Sequence, residues 1–214
     1  MRRPRRKTSC VPGLPVPRPV PVRRTRRHRP SRCQPRRVRS RGLPTSPRPW
    51  DGTFSPPIEP PAPPLFPLLD ANGRQQFDDW KNNRESGISG GLPDDETYQH
   101  RVAGYPEYQL PGPDGNTFVY ADGLRSQDGA AIEAKHIRNP DCTPRTLDAV
   151  QLENPPPWDA DIFDSANDEM VRYGKALQTA GTPVKFVEVN VDDEASVGYW
   201  DYMLTKHHVK GYAR

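Results

Sequence analysis

The sequence predicts an α/β domain of the α+β kind, running helix, three-stranded β-meander, helix, strand and C-terminal helix, behind a long arm with no structure of its own. Three observations predict it. Two apolar-rich runs, FVYADGLR (Phe118 to Arg125) and AAIEAKHI (Ala130 to Ile137), flank Ser126-Gln127-Asp128-Gly129, and Asp-Gly between such runs is a strong hairpin signal. Phe163, Ala166, Met170, Tyr173 and Leu177 recur at helical spacing ahead of the strand-like PVKFVEVNV. Proline and arginine are segregated: 18 of the 28 prolines lie before Leu68, and residues 1–50 hold 17 of the 31 Lys+Arg and no acid.

That segregation sets the domain plan. Residues 1–67 are too poor in large apolar side chains to offset chain entropy, so they read as a disordered Arg/Pro-rich arm. Its basic charge suits nucleic acid or an acidic surface, or a linker remnant of a longer secreted protein. GC-rich DNA read from a wrong start or frame has the same composition, so a start-site artefact stands beside function. Residues 68–91 form a transition segment in which Leu69, Phe77 and Trp80 suit a short amphipathic helix before the Gly-rich ISGGLP. The domain proper is 92–214. Its first helix, capped by Asp94 or Asp95, includes Tyr98, Gln99 and Val102 and stops at Gly104. Tyr108 to Leu110 give a short first strand, ended by the turn chemistry of PGPDGN. The hairpin follows. Then comes RNPDCTPRTLDAVQLENPPPWDAD, a proline-punctuated connection of a length that points to a functional flap or rim. Arg138 and Arg145 in it are possible phosphate contacts, with solvated loop charges as the plain alternative. The second helix is capped by Asp161 or Asp164 and stops at Gly181. Arg172 and Lys175 project from it toward a possible phosphate or simply into solvent. A final helix over Glu194 to His207 packs Val197, Trp200 and Leu204. His207, His208, Lys206 and Lys210 near its end complement the helix dipole better than they suit a metal.

The chemistry concentrates between Asp122 and Lys135. A turn centred between Asp128 and Gly129 pairs Asp122 with Lys135, and the two-residue period puts Glu133 on the same face. Asp122 and Glu133 are then diagonal neighbours, roughly 7–8 Å apart, a span that one hydrated cation bridges. Magnesium prefers oxygen ligands and is held by one or two carboxylates plus waters and substrate phosphates, so the two acids suffice. Such an ion turns water into a nucleophile and offsets phosphoryl charge, and Lys135 would orient that water or stabilise developing negative charge. A lysine beside two acids stays protonated, which favours a positioning role over that of a base. Gly123 inside the strand suggests a bulge. Taken singly, Asp122-Gly123 reads as an ordinary bulge, and Glu133 with Lys135 as a surface ion pair of small worth.

Together, Asp122, ten intervening residues and Glu133-Ala134-Lys135 resemble the PD-(D/E)xK nuclease signature. The surrounding YQHRVAG, ADG and IEAKH are similar to the restriction-endonuclease-fold toxins of bacterial polymorphic toxin systems. The resemblance runs from Asp94 to the C-terminus and departs from the signature at Ala121, where a proline is usual. It implies a restriction-endonuclease-like core and a Mg²⁺- or Mn²⁺-dependent endonuclease. Asp122, Glu133 and Lys135 would be catalytic, with Asp122, Glu133 and the Ala134 carbonyl as metal ligands. It implies an auxiliary polar residue on the first helix, Gln99 or Glu96, although an acid at Glu96 equally complements the helix dipole. Nucleic acid is the implied substrate, DNA ahead of RNA, and a cognate immunity protein the implied partner.

Charge complicates this reading. Residues 51–214 carry 14 Lys+Arg against 27 Asp+Glu, so the overall +4 is two opposite halves cancelling. Affinity for nucleic acid would then come from the metal, from a cluster near Arg138 and Arg145, or from the arm. Two other readings remain: a non-catalytic interaction protein with a basic arm and a small α/β binding domain, and a housekeeping nuclease of the same superfamily in repair or restriction. Cys10, Cys33 and Cys142 are odd in number and widely spaced, which predicts neither a disulfide framework nor a metal site. VPGLPVPRPVPV is too broken by prolines for a signal peptide, and no stretch spans a bilayer. The expectation is a cytoplasmic location for the chain as it stands, with delivery into target cells as part of a secreted toxin as the alternative.

Overall fold

The computed structural model describes residues 53–59, 63–87, 91–151 and 157–214, all within the unit Val38–Arg214. Residues 1–52, most of the expected arm, lie outside the described residues. The end of that arm departs from the expectation of disorder. Ser55 and Tyr105 exchange backbone hydrogen bonds, and the Arg101 carbonyl accepts from the backbone of Ile58 and Glu59. Phe66 packs on Phe186, ring centroids 4.2 Å apart. Domain carbonyls and one aromatic shelf thus order a proline-rich stretch whose composition alone predicts none.

The transition segment belongs to the domain. Helix α1 (Ala71–Asn82) starts where the Asp70 carboxylate accepts from the Gly73 N–H, and Phe77 is fully buried in the main core. After a short strand β1 (Ser86–Gly87), helix α2 (Pro93–Val102) begins with proline at its first position. Leu92, not Asp94 or Asp95, is the N-cap residue, and those acids lie in the first turn. Gly104, at φ +77°, ends the helix as expected.

The predicted meander is divided between two sheets. Strands β2 (Glu107–Pro111) and β3 (Phe118–Ala121) pair antiparallel beside β1. Strands β4 (Gly123–Arg125) and β5 (Ala130–Lys135) form the hairpin of a second sheet, ordered β4-β5-β6-β7, with β6 (Phe186–Val191) and β7 (Gly211–Ala213) parallel to β5. The run read as one strand breaks at Asp122. A Cβ at Gly123 would meet the Ala103 carbonyl at 2.8 Å, so the end of α2 presses on the chain where it changes sheets. The hairpin turn spans the four residues expected, Ser126 to Gly129. Arg125 clamps Asp128 with two hydrogen bonds of 3.0 and 2.8 Å and reaches Glu188 at 2.5 Å. Asp128 is therefore a buried anchor of a four-residue loop, with Gly129 at φ +80°.

The long connection contains a 3₁₀ turn (Pro140–Cys142) and a short helix α3 (Leu147–Val150), capped by Thr146. Cys10 and Cys33 lie outside the described residues. Helix α4 (Pro157–Leu177) begins earlier than Asp161, because the proline at its start suits a first helical position. It packs against β2 and β3, while helix α5 (Glu194–Lys206) covers β6 and β7 and α2 covers β5. The chain does not stop at α5 but adds β7, too short to register as a strand in the sequence. Among the described residues no helix is long and apolar enough to cross a membrane.

Candidate active site

The sheet register decides which side chains meet. Gly123 faces Ile132 and Arg125 faces Ala130, so the register continued one residue past the start of β4 sets Asp122 across from Glu133 rather than Lys135. This two-residue correction leaves all three on the same face, because the side-chain period is two. The Asp122 carboxylate accepts from the Ala134 N–H at 2.6 Å. Lys135 donates to Glu133 at 2.5 Å and to Glu169 at 2.9 Å. The second Glu133 oxygen accepts from the Tyr173 hydroxyl.

Glu169 and Tyr173 come from α4, one turn apart, and sequence reading missed their role. Tyr173 was expected only as core, and Glu169 resembles any charge on an amphipathic helix. The signal lay in their i, i+4 spacing, which puts the acid on the buried Tyr173 face. The other neglected acid is Glu107 in β2, 2% exposed, which accepts from Gln99 Nε2 at 3.0 Å.

Electrostatics follow from this burial. Desolvation raises the Asp122 carboxyl to about 7, against the pull of Lys135, with the charges of Glu107 and Glu169 adding to the rise. Glu133 is pushed well above the ordinary glutamate range, first by burial and then by the charge of Asp122. Burial alone would lower Lys135, but Glu133, Glu169 and Asp122 outweigh it and keep the ammonium charged beyond the usual lysine range. Burial and the Glu133 charge raise the Tyr173 phenol, so it stays a donor.

A cavity of about 480 Å³ opens beside this cluster, lined among others by Gln99, Ala134, Lys135, Arg138 and Arg145. Asp122 and Glu133 are not among its lining residues, and Lys135 is shared. Gln99 lines the cavity and donates to Glu107, whereas the Glu96 carboxylate accepts the Gly91 N–H at 3.1 Å, a local helix-end bond. Arg138 is ion-paired with Asp95. Arg145 lies over the Trp200 ring. Arg172 is not brought to this place; it borders a separate hollow with residues 116–120 of the other sheet.

Two carboxylates and an ammonium converging at the end of a mixed sheet flanked by helices define a protein of the restriction-endonuclease-fold class. The model for the family restriction endonuclease fold toxin 2 matches residues 94–210, more than half of the chain, and the chain belongs to that family. Comparison with curated proteins and with solved structures found no match. The family supports a nuclease-like enzyme in general terms.

Proposed function

We propose that this chain is a toxin nuclease that hydrolyses phosphodiester bonds of nucleic acid, DNA ahead of RNA, with Mg²⁺ or Mn²⁺ held by Asp122 and Glu133 and the Ala134 carbonyl. The supporting observation is the shared ammonium: Lys135 lies between Glu133 and Glu169 while Asp122 is pinned to the neighbouring backbone. Three carboxyl groups crowd around one ammonium, burial and mutual repulsion push Asp122 and Glu133 to hold their protons, and a hard dication is the natural complement that would let both ionise. Among the described residues no group of three or more His, Cys, Asp and Glu is placed to hold a metal ion. Magnesium does not require such a group, since waters and substrate phosphates fill its remaining positions.

A divalent ion there would supply Lewis acidity and a nucleophile at neutral pH. The chain supplies the geometry. Tyr173 and Lys135 fix the two Glu133 oxygens, and the Ala134 N–H fixes Asp122. Lys135, kept protonated by its three acids, stabilises charge developing on the phosphoryl oxygens. Gln99, held by Glu107, orients polar groups from the α2 side. A cognate immunity protein is the partner that a toxin of this family needs; the acidic balance of 51–214 makes a purely acidic inhibitor a poor electrostatic match.

The test is nicking of supercoiled plasmid and of structured RNA by the full chain in Mg²⁺, Mn²⁺ or EDTA. Metal-dependent nicking of plasmid, lost in Glu133→Gln, is expected. Both nucleic acids left intact, or a Glu133→Gln variant as fast as the native chain, would overturn the proposal.

A further inference from the structure

A second cavity, of about 490 Å³, shares no lining residue with the one beside the proposed active site. Leu124 of β4 and Ile132 of β5 line it. Because side chains alternate along a strand, Ile132 points to the opposite face of β5 from Glu133. Lys81, Tyr108 and the stretch 54–59 form other walls, and that stretch is held by the Ser55–Tyr105 backbone bonds and by the Arg101 carbonyl. Phe54 and Ile58 are 57% and 70% exposed, so packing within the chain leaves apolar surface uncovered here.

The charges single out Lys81. Arg125 and Arg214 also line the cavity, but they are ion-paired with Asp128 and Glu188, and Glu59 is paired with Arg101 at 3.1 Å. Lys81 meets no carboxylate within ion-pair distance among the described residues. Its ammonium donates to the Leu124 carbonyl at 3.2 Å and lies 5.0 and 5.2 Å from the ring centroids of Tyr108 and Phe54. An ammonium has three donors, and the Leu124 carbonyl accounts for one. Burial lowers the Lys81 pKa, against the charge of Asp78, as expected of a cation taken partly out of water without an anionic partner. A half-buried ammonium with donors to spare, beside two aromatic rings in a largely apolar cavity, suits a ligand with a carboxylate at one end and a flat apolar body. A cation would be repelled, and free phosphate would leave the apolar walls uncovered while losing its own hydration.

We infer that this cavity is a binding site for an aromatic monocarboxylate, with the carboxylate paired to Lys81 and the rings lying among Phe54, Ile58, Leu124 and Ile132. A rigid ring system fills such a space without the rotamer entropy that an alkyl chain loses. The ligand binds whether or not the chain cuts nucleic acid. Since Lys81 also holds the Leu124 carbonyl, the bound ligand ties α1 and the stretch 54–59 to the β4-β5 hairpin, and it raises the thermal midpoint of the chain.

The experiment is a titration of the full chain with naphthoate, read by the ligand's own fluorescence and by calorimetry. One molecule per chain is expected, and naphthalenemethanol, the same rings without the charge, should bind about tenfold more weakly. Lys81→Met should weaken naphthoate about tenfold and leave naphthalenemethanol within about twofold of its native affinity, which also shows that the variant is folded. Phe54→Ala should weaken both ligands several-fold. Lys185→Met, at an exposed lysine outside the cavity, serves as the charge control. If Lys81→Met does not fold, Phe54→Ala and the comparison of acid with alcohol carry the test. No saturable uptake of naphthoate, acid and alcohol bound equally by the native chain, native affinity for naphthoate in Lys81→Met, or an equal loss in Lys185→Met overturns the site. Decanoate bound as tightly as naphthoate overturns its assignment to an aromatic ligand.

Discussion

Replacing Lys135 with methionine keeps the stem volume and removes the one ammonium shared by Glu133 and Glu169, with Asp122 also within reach of its charge. Its Nζ also lies 5.1 Å from the Trp200 ring, so that contact is lost as well. Breaking a buried pair by removing one partner costs about 3–5 kcal/mol, which in a domain of this size lowers the melting temperature by roughly 6–20 °C. The loss is pH-dependent, with a determined sign. Asp122 and Glu133 ionise above their unfolded range, Asp122 at about 7. The folded state therefore binds more protons than the unfolded state, and stability falls as pH rises from about 4 through the folded values. Lys135 offsets that fall in the native chain; in Lys135→Met it is unopposed. The deficit should be full at pH 8, much smaller at pH 5, and partly restored at pH 8 by millimolar Mg²⁺. Urea titrations followed by circular dichroism at the two pH values measure it. A variant within about 1 kcal/mol of the native chain at pH 8, or one equally weakened at both pH values, would refute the reasoning.

Three further outcomes follow from the same geometry. Tyr173→Phe removes the hydroxyl donated to Glu133 and should cost about 1.5–3 kcal/mol in urea titration, with a tenfold or greater drop in cleavage rate; native stability and rate would contradict it. With Mg²⁺ held below saturation, the cleavage rate should climb with pH below about 7 and level off above it, as Asp122 must lose its proton to take the ion; a flat profile between pH 5.5 and 8 is the opposing result. Gly123→Ala places a methyl 2.8 Å from the Ala103 carbonyl and should destabilise the chain by about 1–3 kcal/mol, measurable as a lowered thermal midpoint.

Much of the site was written locally. Asp122, Glu133 and Lys135 lie within one hairpin, and their shared face survived the register correction because a shift of two residues preserves side-chain parity. The shift itself was not legible: it depends on Asp128 being buried and clamped by Arg125 and so reaching Glu188 through that arginine, a partner far along the chain. Glu169 escaped notice, and Tyr173 and Trp200 were read only as core, for the same reason. An acid, a phenol and an indole on amphipathic helices carry no local mark of what they face, and only the packing of α4 and α5 brings them to Lys135. The break at Asp122 is likewise a tertiary effect, set by the carbonyl end of α2 against Gly123. The helices were found from their spacing, while their starts were misplaced at Pro93 and Pro157, where proline and not an acidic cap opens the first turn.

Calorimetric titration of the full chain with Mn²⁺ at pH 8, alongside Asp122→Asn, Glu133→Gln and, as a control, Glu96→Gln, addresses the central claim most directly. One ion per chain is predicted, with affinity unchanged in Glu96→Gln and reduced at least tenfold in each of the other two variants. No uptake by the native chain, or uptake undiminished in both site variants, would contradict the account.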